Sequence, residues 1–313
     1  MHIRLSRALN RLGCFGLFWL GLFPGTARPE ALNLQQLAAG LYVHQGHQVA
    51  MAASEHDDIA NIGFILGDEC VAVIDSGGSV RIGAQLHRAL RRITGKPICY
   101  VINTHVHYDH VLGNAAFLRE QAKFVGHRNL SAAIDNNREF FLKNFIRELG
   151  NIKDPARIKG PDLRVDKSLV LDLGKRKIRL IAHQTAHTDS DLSILDLKTN
   201  TLWASDLLFV KRIPVINGSL KGWIAESGKL ASSDYSLIIP GHGPVPKSPR
   251  AAIAAQIRYL ETLRDEILAI LGQGGFLEDA LEKVGLAERS NWLLFDENHK
   301  RNVTRAFAEL EWE

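Results

Sequence analysis

Three cysteines in 313 residues are too few for a disulfide framework, and Cys70 and Cys99 lie too far apart for a zinc ribbon. There is no internal repeat and no low-complexity linker. A large excess of one charge sign is also missing. The chain has 38 basic and 34 acidic side chains, a net charge of +4. Arg4, Arg7 and Arg11 lie in the first 27 residues, which hold no acidic residue; without them 35 basic face 34 acidic side chains. That near-neutral remainder excludes a basic field for nucleic acid and a polybasic membrane patch. The apolar run Leu12–Phe23 is a dozen residues long, short of the ~20 a membrane-spanning helix needs.

The start of the chain has the grammar of a secretory signal over residues 1–27. Three arginines precede the apolar run, Pro24 breaks it, and Gly25-Thr26-Ala27 offers small residues for a cut after Ala27. An uncleaved N-terminal anchor is the alternative. Cys14 precedes most of the apolar run, which does not suit a lipoprotein signal. The sequence therefore predicts a periplasmic protein, off the membrane after cleavage. Cys70 and Cys99 fall in strand-like runs. Free core cysteines are the plainer reading, while pairing stays open to an exported protein.

Local patterning predicts strands at Leu41–His44, Ile59–Leu66 and Cys70–Asp75. A helix follows over Val80–Ile93, where Ile82, Leu86, Leu90 and Ile93 recur at helical spacing. Next come a strand at Ile98–Ile102, a short helix at Asn114–Glu120 and a strand at Lys123–Gly126. This βαβ rhythm predicts an α/β layered domain. Residues 129–150 read as helical and 154–162 as loop. Strands resume at Ser168–Leu173, Lys177–Ala182, Leu192–Leu197 and Thr201–Ala204, with a helix at Leu220–Leu230 and a strand at Leu237–Ile239. Pro249 opens a long amphipathic helix to Leu271. Residues 276–313 read as shorter helices. We divide the mature chain into a main domain, 28–247, and a C-terminal helical extension, 248–313, packed on it.

The densest chemistry follows the Ile98–Ile102 strand, in His105-Val106-His107-Tyr108-Asp109-His110. Four metal-capable side chains in six residues are hard to read as a polar surface turn. His187, Asp206 and His242 each follow a predicted strand as well, where α/β folds gather their ligands. Each would be weak alone; as an ordered set they form a strong pattern. Imidazole and carboxylate donors suit zinc, and two neighbouring ions can activate a water and clamp a substrate. His44, His47, His56, His127 and His183 have no ligand spacing.

This set resembles the metallo-β-lactamase superfamily, whose signature is His-x-His-x-Asp-His followed by a lone His, an Asp or Cys, and a Gly-His. The resemblance covers roughly residues 38–247. It implies a four-layer αββα sandwich, to which the C-terminal helices add. It also implies a first metal site of His105, His107 and His187, a second of Asp109, His110 and His242, and Asp206 as bridging carboxylate. The di-zinc lactamases of plasmid type have cysteine at that position, so the chain departs from them. Asp75 matches a carboxylate that supports the metal loop. Thr104 and Thr188 read as support for the ligands or as local caps. Lys221 and Trp223 lie where relatives place substrate contacts; a helix-start lysine and a core tryptophan are the alternative.

Whole phrases resemble the quinoprotein relay system zinc metallohydrolases, exported relatives associated with pyrroloquinoline-quinone-dependent alcohol oxidation. They include Ile59-Ala60-Asn61-Ile62-Gly63-Phe64, Asn103-Thr104-His105-Val106-His107, Phe124-Val125-Gly126-His127, Asp206-Leu207-Leu208-Phe209-Val210 and Gly218-Ser219-Leu220-Lys221-Gly222-Trp223. The resemblance implies two zinc ions and a small-molecule substrate, with a functional link to a quinone-dependent dehydrogenase. Asp109 would be the catalytic carboxylate, orienting the attacking water. Three alternatives remain: a β-lactamase, a mononuclear iron enzyme oxidising persulfides, and a non-catalytic periplasmic cofactor carrier.

Overall fold

The computed structural model describes residues 31–312 apart from residue 152, and residues 31–313 form one compact unit. The expected signal segment, residues 1–27, lies outside the described residues. Twelve strands make two sheets. The first has seven in chain order: β1 (Gln35–Ala38), β2 (Leu41–His44), β3 (Ile62–Leu66), β4 (Val71–Ile74), β5 (Ile98–Ile102), β6 (Lys123–His127) and β7 (Leu163–Val165). The second has five: β8 (Ser168–Asp172), β9 (Lys177–Ala182), β10 (Leu192–Asp196), β11 (Thr201–Phe209) and β12 (Leu237–His242), ordered β12-β11-β10-β9-β8.

Strand alternation explains why the sheets stack. Along β4, Val71 and Val73 face one way and Ala72 and Ile74 the other. The latter pair joins Ile65, Ile102, Leu180, Ile194, Trp203 and Ile239 in a core between the sheets. Val71 and Val73 instead meet α1 (Val80–Ile93) through Ile82, Leu86 and Leu90. The Ser79 hydroxyl accepts from the Ile82 amide and caps α1. The 3-10 turn Leu112–Phe117 follows the short helix α2 (Tyr108–Val111) and closes the same side. Helix α3 (Leu130–Asn144) builds a smaller core with Val106, Val111 and Leu112.

The outer face of the second sheet carries α4 (Leu220–Ala231), α5 (Pro249–Gly272), α6 (Leu277–Lys283) and α7 (Phe295–Leu310). Leu202, Ala204 and Leu208 of β11 share one core with Tyr259, Leu263, Val303 and Phe307. The layers are therefore helix, sheet, sheet, helix. The extension is continuous with the core of the second sheet.

Two local expectations change. Strand β11 runs on to Phe209, so Asp206 lies inside the strand, past a register shift at Ser205. Cys70 and Cys99 are bonded, against the reading of free core thiols. Strands β4 and β5 pair in parallel with Val71 opposite Ile98, which sets the two cysteines side by side. The bond closes a loop with a sequence separation of 29, so replacing both cysteines by Ala should lower unfolding stability by roughly 2–4 kcal/mol. Denaturant titration of the double variant measures this, and an unchanged midpoint would contradict it.

Candidate metal centre

The loops that follow β5 and β9, the interior of β11 and the end of β12 meet at one edge of the sandwich. They bring His105, His107, His187 and Asp206 into one group, and Asp109, His110 and His242 into another, with donor atoms in each group within 4.8 Å of one another. Three nitrogens converge in the first group. His107 Nδ1 is 3.1 Å from His105 Nε2 and 3.0 Å from His187 Nε2. Tetrahedral zinc with bonds near 2.0–2.1 Å sets its ligands about 3.3 Å apart. In the second group His242 Nε2 is 3.3 Å from Asp109 Oδ2, and His110 Nε2 is 3.5 Å from it. Asp206 reaches both groups. Its Oδ2 lies 3.2 Å from His187 Nε2 and 3.2 Å from His242 Nε2, and its Oδ1 lies 3.2 Å from His110 Nε2.

The opposite ring nitrogens are fixed by protein acceptors, which aims the donors inward. His187 Nδ1 donates to Val215 O at 2.8 Å and His242 Nδ1 to Ile59 O at 2.9 Å. His110 Nδ1 donates to Asp75 Oδ2 at 2.8 Å. His105 Nδ1 is 3.1 Å from the Thr104 hydroxyl, which itself donates to Asp75 Oδ2 at 2.8 Å. His107 differs, because its Nε2 meets the Asn217 side chain. Thr188 stays local and donates to Asp191.

The donor set fits cations. Burial, then the charge on His110, holds His105 well below the ordinary histidine range. Burial and the facing His187 push His107 down to about 3. His105 and His107 are thus neutral rings whose nitrogens converge in the first group. Burial would raise Asp109 and Asp206, but the surrounding histidines outweigh it and keep both ionised. His110 Nε2 and Asp206 Oδ1 lie 3.2 Å apart yet neither makes a hydrogen bond in its buried position, a costly state that an ion between them would relieve.

Backbone strain is concentrated beside these groups. Ser205 and Asp75 take left-handed conformations, at φ 49° and 53°, which cost a non-glycine residue of order 1–3 kcal/mol. Ser205 turns β11 so that Asp206 points into the cluster. A side chain at position 241 would place its Cβ 1.8 Å from Asp206 Oδ1, so only glycine fits there.

A family profile, "Metallo-beta-lactamase superfamily", matches residues 57–242, the segment that carries all seven ligand-type residues. The chain belongs to the metallo-beta-lactamase superfamily. No curated protein matches it. Among solved structures it is similar to a metallo-beta-lactamase from Pontibacter korlensis, with 14% identity, TM-score 0.57, and coverage of 74% of this chain and 99% of that one. It is also similar to the stereoselective inverting sec-alkylsulfatase Pisa1 from Pseudomonas sp., with 16% identity and TM-score 0.63; that match covers 81% of this chain and 45% of the sulfatase. A metallo-beta-lactamase from Hirschia baltica gives 15% identity and TM-score 0.56, with 73% and 98% covered. At these identities the likeness carries the fold alone.

The superfamily cluster opens into a cavity of about 740 Å³. Lys221 and Trp223, the expected substrate contacts, are not on its wall. Trp223 is fully buried, donates its indole N–H to Leu207 O at 3.0 Å, and packs edge-on behind His187 at 5.1 Å. Lys221 is exposed on α4, its amide facing Glu309. The wall instead includes Arg212, Asn217, Arg301 and Arg305, which no motif marks. They come from the segment after β11 and from α7. Asn302 locks these together by accepting from Ile216 N at 3.0 Å and donating to Pro214 O at 2.7 Å. The C-terminal extension thereby steadies Val215, the acceptor of His187.

Asp75 is fully buried and accepts from the Thr104 amide, the Thr104 hydroxyl and His110. Asp75→Ala should weaken metal binding about 10–100-fold. Competition with a chelator of known affinity measures this, and wild-type affinity in the variant would contradict it.

Proposed function

We propose that the chain is an exported dinuclear zinc hydrolase that attacks the carbonyl of a small ester, thioester or lactam. The observation that carries this reading is the reach of Asp206 to His187, His242 and His110 at 3.2 Å each, which joins the two triads into one site. His105, His107 and His187 would hold one ion. Asp109, His110 and His242 would hold the second, with Asp206 shared. When bound, two zinc ions supply an acidified water and positive charge opposite the carbonyl oxygen.

The chain's own residues do the rest. Asp109 lies on the cavity wall with its carboxylate ionised, and would accept a hydrogen bond from the attacking water and so orient it. Ile59, Val106 and Phe209 line the same cavity and exclude bulk water near the reacting atoms. Asp206 separates this site from lactamases that use cysteine there.

Export is supported by the arginine-led apolar segment before Ala27 and by the Cys70–Cys99 bond, since such bonds persist in oxidising compartments. The phrases shared with quinoprotein relay metallohydrolases support a role beside a quinone-dependent alcohol dehydrogenase.

Metal analysis of the purified mature protein, together with an ester, thioester and lactam panel, tests the reading. About two zinc ions per chain and turnover of at least one carbonyl class are expected. His107→Ala and Asp109→Ala should each lower kcat by at least about 100-fold and lower the metal content. Full hydrolysis by metal-free His107→Ala, or one iron per chain with persulfide oxidation, would contradict it.

A further inference from the structure

We propose that α7 gives the cavity an anion-recognising wall, so that its ligand is an amphipathic anion with one negatively charged group and an apolar body. This deepens the hydrolase reading and rests on it for the reaction; the binding claim stands on the wall itself.

Arg301 and Arg305 are one helical turn apart on α7, on the same face, and both line the cavity. Arg301 donates to the Asn217 side-chain oxygen, and Arg305 donates to the Asn217 carbonyl at 2.9 Å. Neither has a carboxylate within 4.0 Å among the described residues. Two like charges held together against a neutral loop leave their field for something else. Burial and the neighbouring Arg305 both depress the Arg301 guanidinium, which marks the repulsion between them.

A third guanidinium faces the same space. Arg212 lines the cavity, yet is only 5% exposed. It donates one bond, from Nη1 to Val49 O at 3.2 Å, and its buried Nε has no partner. A cation this buried with a single hydrogen bond is costly, and an anion in the adjoining cavity would offset its charge. No carboxylate lies within 4.0 Å of these arginines among the described residues, although Asp109, Asp206 and Glu297 act on Arg212 through space. Asp109 and Asp206 belong to the metal cluster, and Asp189 lies in the loop after His187 against Asn129.

Another part of the same lining is aromatic. Phe140 on α3 is 53% exposed, a large apolar side chain with no cover. Its ring is 5.9 Å from Phe145, on which Tyr108 stacks at 4.5 Å. An apolar body there gains burial that water denies Phe140. The cavity volume is in the range of drug-sized ligand sites, larger than a metal centre needs. Asp109 and His107 line the same cavity, so a ligand that touches both kinds of wall shares its space with the metal cluster.

The test compares 5-phenylpentane-1-sulfonate with 5-phenylpentan-1-ol by calorimetry on zinc-loaded protein at low and high salt. The sulfonate should bind about tenfold more tightly, with the gap narrowing in salt. In Arg301→Ala/Arg305→Ala the two should bind alike, and in Arg301→Lys/Arg305→Lys part of the preference should return. Equal affinities in the wild type, absence of binding by both, a preference that survives the alanine pair, or lysines as poor as alanines would each overturn the proposal. Turnover of mono-4-nitrophenyl glutarate and 4-nitrophenyl pentanoate is read in parallel. Sulfonate preference without hydrolysis of either ester would count against the hydrolase reading and leave the anion wall standing; hydrolysis without sulfonate preference would do the reverse.

Discussion

The Asp206 carboxylate meets both halves of the cluster, one oxygen toward His187 and His242 and the other toward His110. Five imidazoles and two carboxylates share one buried space, an arrangement whose donors are jointly satisfied by bound cations. The fold pays for that arrangement with strain. Ser205 and Asp75 hold left-handed backbones next to the ligands, and glycine at position 241 clears the room Asp206 occupies. Such tension is placed where function needs aim, and the sheets on either side absorb it.

Orientation of the ligands is spread across the molecule. Asp75 at the end of β4 fixes His110 and, through Thr104, bears on His105. Ile59, before β3, fixes His242. Val215 fixes His187 and is itself steadied by Asn302 from α7. The helices beyond residue 248 thus act on the site twice, through this clamp and through the arginines they bring to the cavity. A lost contact in the extension would reach the His/Asp cluster through His187.

The sequence was legible where chemistry restricts the choice of residue. Zinc ligands come from a short menu of His, carboxylate and Cys, and four candidates lie within six positions, so the cluster and its three distant partners could be read directly. The strand and helix rhythm around them was also readable, since β4, β5, α1 and α5 have clear periodicity. Other features needed the third dimension. Cys70 and Cys99 meet only because β4 and β5 pair in parallel in one register, which no local pattern specifies. Asp206 interrupts the apolar run of β11, so the strand looked shorter than it is. Trp223 carries the phrase of a substrate contact, yet its size suits the core behind His187. Arg301 and Arg305 have no motif. Their only trace is a pair of cations four residues apart on an amphipathic helix, and more than a hundred residues separate them from His187.

Zinc-edge anomalous diffraction from crystals of the metal-loaded protein tests the central claim most directly, namely that Asp206 joins two triads into one dinuclear centre. The account predicts two peaks, one against His105, His107 and His187 and one against Asp109, His110 and His242, with the Asp206 carboxylate between them. A single peak, or none in this cluster, would contradict it.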